Sequence, residues 1–140
     1  MYRLVRSFLG AEHLISLVPD LLPIPRSDRY TTVHDTAVKA TFEPKLKDVI
    51  PEPWVRCFLS IVWHDGSIAP HQDVAIEGQR FHVVLQSNPD AWLLHDGVWT
   101  QPLTGCIYTM DPTIEHATVN WGHSPRVLLV VDTKRDSTPT

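Results

Sequence analysis

From Trp54 onward the sequence divides into short apolar runs set between turn signals: WVRCFLSIVW, RFHVVLQ, AWLLHDGVWTQ, CIYTMD, HATVNW and RVLLVVD. Each has the length of a strand and is rich in β-branched or aromatic residues. A succession of such runs predicts a sandwich or barrel. Within AWLLHDGVWTQ, Asp96-Gly97 is a two-residue hairpin signal, because a type I′ turn needs positive φ at both positions. The runs on either side of it are therefore expected to pair.

The preceding third of the chain reads differently. Between Ser7 and Leu22 the residues Phe8, Leu9, His13, Leu14, Leu17, Val18 and Leu21 recur at spacings of three and four, which predicts one amphipathic helix capped by Ser7. The stretch from Pro23 to Pro53 is proline-rich and of mixed polarity, and is expected to form loops with a short strand near Tyr30 to Val33. No repeat, low-complexity segment or linker divides the chain. One domain over residues 1–140 is expected, with helical and irregular support over about 1–53 and a β core over about 54–133.

Composition excludes several classes. Hydrophobic content of 43% with 20% charged residues is ordinary for a globular protein, which removes disordered, collagenous and coiled-coil readings. A net charge of -4 argues against a general nucleic-acid binder. Glu12 and His13 interrupt the N-terminal apolar stretch and Pro19 ends it, so neither a signal peptide nor a membrane span is expected, and the cytoplasm is the expected location. Cys57 and Cys106 both lie in apolar runs and read as small buried hydrophobes rather than a disulfide or metal pair.

The chemistry concentrates in HQDVAIEGQRFHVVLQ and in PTIEHATVNW. His71 and Asp73 are two apart, which on an extended segment places both on one face. His116 can supply a third ligand. Two imidazoles and one carboxylate form a facial triad that leaves metal positions open for a co-substrate and dioxygen, although zinc and manganese accept the same ligands. Arg126 opens the apolar run RVLLVVD, where a guanidinium gains nothing unless an anion meets it. Asp111-Pro112 reads as the turn that delivers His116, with Asp111 as a possible outer partner of the site.

These residues carry a resemblance. HQDVAIEGQRFHVVL followed by MDPTIEHATVNWGHSPRVLLVVD resembles the 2-oxoglutarate and Fe(II)-dependent oxygenases, and among them the aspartyl/asparaginyl β-hydroxylase branch, over roughly Trp54 to Asp132. The shared pattern is a first histidine (His71), R-x-H-x-x-L (Arg80, His82, Leu85), D-x-x-x-x-H-x-x-x-N (Asp111, His116, Asn120) and a late arginine (Arg126) before a strand ending in Asp132. The resemblance implies a mainly β fold, a double-stranded β-helix (jelly-roll, cupin-like) barrel with an N-terminal helix. It implies Fe(II) held by His71, Asp73 and His116, with dioxygen and 2-oxoglutarate as co-substrates. Arg126 would take the distal carboxylate of 2-oxoglutarate, with Arg80, His82 and Ser60 also contacting the co-substrate. The implied reaction couples decarboxylation of 2-oxoglutarate to succinate with C–H hydroxylation of an amino-acid, peptide or small-molecule substrate. Asp73 departs from the branch pattern, which usually lacks an acid two residues after the first histidine, and matches the wider superfamily. A non-catalytic metal-binding jelly roll and a cupin-type dioxygenase that does not use 2-oxoglutarate are the alternatives.

Overall fold

The structure is a computed structural model that describes residues 1–21 and 29–134. Ten strands form two antiparallel sheets. The larger contains β1 (Arg3–Ser7), β2 (Tyr30–Val33), β3 (Trp54–Val62), β5 (Arg80–Gln86), β8 (Cys106–Met110) and β10 (Arg126–Thr133), in the order β1-β8-β5-β10-β3-β2. The smaller contains β4 (Gly66–His71), β6 (Ala91–His95), β7 (Val98–Thr100) and β9 (His116–Asn120), in the order β4-β9-β6-β7. The fold is a mainly β jelly roll.

The central strands of the larger sheet are apolar almost throughout because both of their faces are covered. Alternate residues go opposite ways. Cys57, Leu59 and Ile61 of β3, Phe81, Val83 and Leu85 of β5, and Val127, Leu129 and Val131 of β10 face outward into the main core. Two helices cover that core, α1 (Ala11–Ile15) against β5 and α2 (Thr36–Leu46) against β3. The even-numbered residues between them, Phe58, Val84, Leu128 and Val130, face the space between the sheets and form a second cluster with Tyr108.

The N-terminal third departs from the expectation. The single helix over Ser7–Leu22 is replaced by β1, the short α1 and a 3-10 turn at Pro19–Leu21, while Leu22 lies outside the described residues. Ser7 ends β1, and the helix cap is Gly10, at φ 94°, with no side-chain hydrogen bond. A left-handed residue cannot continue a helix, and the sheet edge offered by β8 takes Arg3–Ser7 as a strand. Leu14 and Val18 of the anticipated stripe are buried, but Leu9 is fully exposed.

The strand at Tyr30–Val33 forms as expected and pairs with β3. The loop expected after it contains α2. Asp35 caps that helix by accepting the Ala37 amide at 2.8 Å, and Val38, Phe42 and Leu46, spaced by four, bury completely or nearly so. Asp96 and Gly97 have φ of 53° and 75°, and His95 pairs with Val98 across them. The anticipated hairpin is therefore present.

Candidate metal and anion site

Between the sheets lies a pocket of about 470 Å³, lined from both sides. From the larger sheet come Arg56, Phe58 and Ser60 of β3, Arg80 and His82 of β5, and Arg126, Leu128 and Val130 of β10, all on the inward, even-numbered face. His71 and His116 come from the smaller sheet, where they are register partners on β4 and β9, and Asp73 comes from the loop after β4.

His71 reaches the pocket through a bulge. Ile68 pairs with Thr118 and His71 with His116, so β4 carries one residue more than β9 over this span. The extra residue turns His71 to the face Ile68 occupies, a common use of bulges beside functional sites. Asp73 lies past the end of the strand, so strand alternation does not put it beside His71. The Asp73 amide donates to the Pro112 carbonyl at 2.8 Å, which ties the loop to the turn before β9 and brings the carboxylate between the two imidazoles.

One ligand atom from each of His71, Asp73 and His116 lies within 4.8 Å of the others. His71 Nδ1 is 2.8 Å from the Ala69 carbonyl and His116 Nδ1 is 2.7 Å from that of Ile114. A carbonyl only accepts, so each ring keeps a proton on Nδ1, and a neutral ring then turns an Nε2 lone pair toward the carboxylate. Burial lowers the proton affinity of His116, outweighing the opposing pull of the Ile114 carbonyl, which favours this neutral form. Nε2 of His116 lies 3.2 Å from one Asp73 oxygen and Nε2 of His71 lies 3.8 Å from the other. Two imidazole nitrogens and a carboxylate converging on one point are a donor set that suits a divalent cation. The donor set therefore fits the metal that the sequence implies.

Arg80 reaches the pocket wall but spends its guanidinium on the chain itself. It meets Asp132 through two parallel bonds, Nε to Oδ1 at 2.8 Å and Nη2 to Oδ2 at 2.9 Å, and gives Nη1 to Asp73 at 2.8 Å. Against the penalty of burial, the bonds and charges of Asp132 and then Asp73 raise its pKa. Asp132 is 1% exposed, and the resemblance marks it only as the end of the strand, with no role in the site. The available signal was parity, since Asp132 stands six residues after Arg126 on the same strand face.

Arg126 has no such counter-ion among the described residues. It is 2% exposed, its Nη2 donates to Ser60 Oγ at 2.9 Å, and its Nε has no partner. Burial draws its pKa down to about 10, with Tyr2 acting the other way. His82 is buried beside it, and burial, then Arg126 and Arg80, hold its pKa well below the usual value. In a net acidic chain the pocket wall thus carries three arginines against the single carboxylate of Asp73, and with Arg80 paired to Asp132 behind it, Arg126 is the buried charge left without a counter-ion among the described residues. At its rim His34 stacks on Phe58 at 4.4 Å, and the Arg56 guanidinium lies 4.9 Å from the same ring.

Other anticipated residues lie elsewhere. The Asp111 carboxylate accepts from the amide and hydroxyl of Thr113, while the Asp111 carbonyl is 3.0 Å from His95 Nε2. It fixes the turn rather than a ligand. Asn120 binds the Val62 and Ser124 carbonyls, and so ties β9 to the end of β3. His64 pairs with Asp65 and the Gly122 carbonyl outside the pocket, and no tryptophan lines it. Both cysteines are free, and burial raises the Cys57 thiol to about 12.

Two sheets enclosing a His–Asp–His donor group and a buried arginine define a jelly-roll protein of the oxygenase and cupin kind. Residues 31–136 match the family model described as Aspartyl/Asparaginyl beta-hydroxylase, and the chain belongs to that oxygenase family. Solved structures share the fold at low identity. An oxidoreductase of the 2OG-Fe(II) oxygenase family from Burkholderia pseudomallei has a TM-score of 0.64 at 12% identity, covering 96% of this chain and 87% of that one. The cupin_2 domain of an XRE family transcriptional regulator from Enterobacter cloacae has a TM-score of 0.53 at 12% identity, covering 81% and 100%. Salicylate 1,2-dioxygenase from Pseudoaminobacter salicylatoxidans has a TM-score of 0.52 at 11% identity, covering 88% of this chain and 30% of that one. The search of curated proteins gives no match. No helix among the described residues is long and apolar enough to cross a membrane.

Proposed function

We propose that the chain is an Fe(II)- and 2-oxoglutarate-dependent hydroxylase. The observation that carries this reading is Arg126, a desolvated guanidinium without a counter-ion in the same pocket as a set of metal donors. 2-Oxoglutarate offers a carboxylate for one and a chelating 2-oxo acid for the other. His71 Nε2, a carboxylate oxygen of Asp73 and His116 Nε2 would hold the metal. When bound, iron and the co-substrate supply the oxidation, in which dioxygen is consumed, 2-oxoglutarate becomes succinate and carbon dioxide, and a substrate C–H becomes C–OH.

The polypeptide's tasks are ligation, orientation and exclusion of water. The Ala69 and Ile114 carbonyls fix the two imidazoles, and Arg80, itself fixed by Asp132, orients Asp73. Arg80 therefore supports a ligand in place of a direct co-substrate contact. Arg126 and Ser60 receive the distal carboxylate, and His82 adds a neutral donor beside them. Phe58, Leu128 and Val130 keep the pocket apolar between these groups. Arg56 and His34 at the rim favour a substrate with an anionic or amide side chain, as a free amino acid, a peptide or another small molecule. The whole chain acts as one domain in the cytoplasm on this reading.

The test is anaerobic addition of Fe(II) and then 2-oxoglutarate, with absorption of the metal chelate as the readout. The expected band disappears in His71→Ala and needs far more 2-oxoglutarate in Arg126→Ala. A protein that binds the metal but shows no band is a cupin-type dioxygenase or a binding module instead.

A further inference from the structure

We infer that Tyr2 is a positioning residue for the co-substrate, holding His82 in the tautomer that offers an Nε2–H to the pocket. The inference rests on the preceding reading of the co-substrate. Tyr2 lies outside the residues that match the family model, and the strand it precedes, β1, joins the sheet only through β8.

Its ring turns inward, stacking on Tyr108 at 4.7 Å and meeting His82 edge-on at 5.4 Å, against the apolar cluster of Phe58, Val84, Leu128 and Val130. The Tyr2 hydroxyl is 3.2 Å from His82 Nδ1. Both groups are buried enough to stay uncharged: desolvation pushes the phenol pKa up and the imidazole pKa down. A neutral imidazole has one N–H, so the hydrogen bond has two forms. Either the phenol donates to Nδ1 and the imidazole proton sits on Nε2, or Nδ1–H donates and Nε2 is bare.

The phenolic hydrogen decides between them. His82 Nδ1 is the one hydrogen-bond partner of the Tyr2 hydroxyl among the described residues, so an Nδ1–H donor would leave the buried phenolic hydrogen unpaired, and the phenol is the donor. His82 then presents Nε2–H as its free donor, and its ring lines the pocket. A neutral donor suits a carboxylate that already faces a cation, whereas a bare Nε2 would repel it. Tyr2 thereby brings the N-terminal strand into the recognition of a ligand it does not touch.

The test uses the full chain with Zn(II) in place of iron, so that binding is read without turnover. Calorimetric titration with 2-oxoglutarate should show about tenfold weaker binding by Tyr2→Phe, from loss of one hydrogen bond behind a charge-assisted contact. The ring of Phe retains the stack on Tyr108, so a purely structural role predicts unchanged affinity, and that result overturns the inference. ¹⁵N spectra of the His82 imidazole provide the second readout: Nε2–H in the native protein and a tautomer mixture in Tyr2→Phe are expected. An Nδ1–H form in the native protein also overturns it. If the native protein binds Zn(II) but no 2-oxoglutarate, the co-substrate reading fails, and a spectrum showing Nε2–H then leaves only the Tyr2–His82 bond standing.

Discussion

Arg80 and Arg126 stand on neighbouring strands, both nearly inaccessible to water, yet their replacement should act in opposite ways. Arg80→Met leaves Asp132 buried without its cation, which is expected to cost about 3–5 kcal/mol in urea denaturation of the metal-free protein. It also frees Asp73, and metal affinity should fall about 10- to 100-fold. Arg126→Met removes a buried charge that lacks a counter-ion, so the metal-free protein should be as stable or more so, while 2-oxoglutarate affinity falls at least about tenfold. His82 supplies a pH dependence. Its folded pKa lies well below its ordinary 6.5, so the unfolded chain takes up the proton first. Its contribution to stability is complete above about pH 6.5 and is lost as pH falls toward the folded value, with a limiting slope of about 1.4 kcal/mol per pH unit. Urea midpoints of the metal-free protein measured downward from neutrality should show this loss, and His82→Leu should flatten it. The residue types were legible in the sequence; their partners were not. Arg80 reads as a ligand-binding arginine in the sequence, and only the fold shows that Asp132, 52 residues away, stands beside it.

At the scale of elements, the strands were the legible part because their signals are local. β3, β5, β6, β8, β9 and β10 each fall within an apolar run, and the Asp96-Gly97 turn needs only its own two residues. The helical segments depart from their local signals for physical reasons. The apolar spacing after Ser7 is real, but Gly10 and Pro19 cut it, and the edge of β8 claims its start. α2 hid behind Pro44 in its last turn and a mixed-polarity sequence, although Asp35 and the Val38–Phe42–Leu46 stripe were there to be read. Asp35→Ala should cost about 1 kcal/mol through the lost cap, and Phe42→Ala about 3–5 kcal/mol through the cavity left behind. Chemical denaturation measures both. The bulge in β4 has no sequence signal beyond Pro70, and strand alternation, the local rule that pairs His71 with Asp73 in the sequence, is not what brings them together in the fold.

For the molecule as a whole, metal and co-substrate together should behave as missing parts of the interior. Arg126 is a buried charge without a counter-ion among the described residues until an anion enters the pocket. Saturation with Zn(II) and 2-oxoglutarate should raise the unfolding free energy, by about 2.7 kcal/mol at a hundred times Kd. Thermal melting should show the rise in the native protein and lose the co-substrate part of it in Arg126→Ala. The larger sheet makes this coupling direct, since one face of β3, β5 and β10 holds the helices while the other lines the pocket. Each of these strands is in effect a text read in two frames, odd letters specifying the core and even letters the chemistry. A substitution edits one message and leaves the other intact. Loss of a single residue between Arg126 and Asp132 in β10 puts the two out of phase, so that one of them must turn to the core face while leucine or valine takes its place on the pocket side. In these three strands the site can therefore change by replacement of letters, whereas changes of length are confined to the loops that join them.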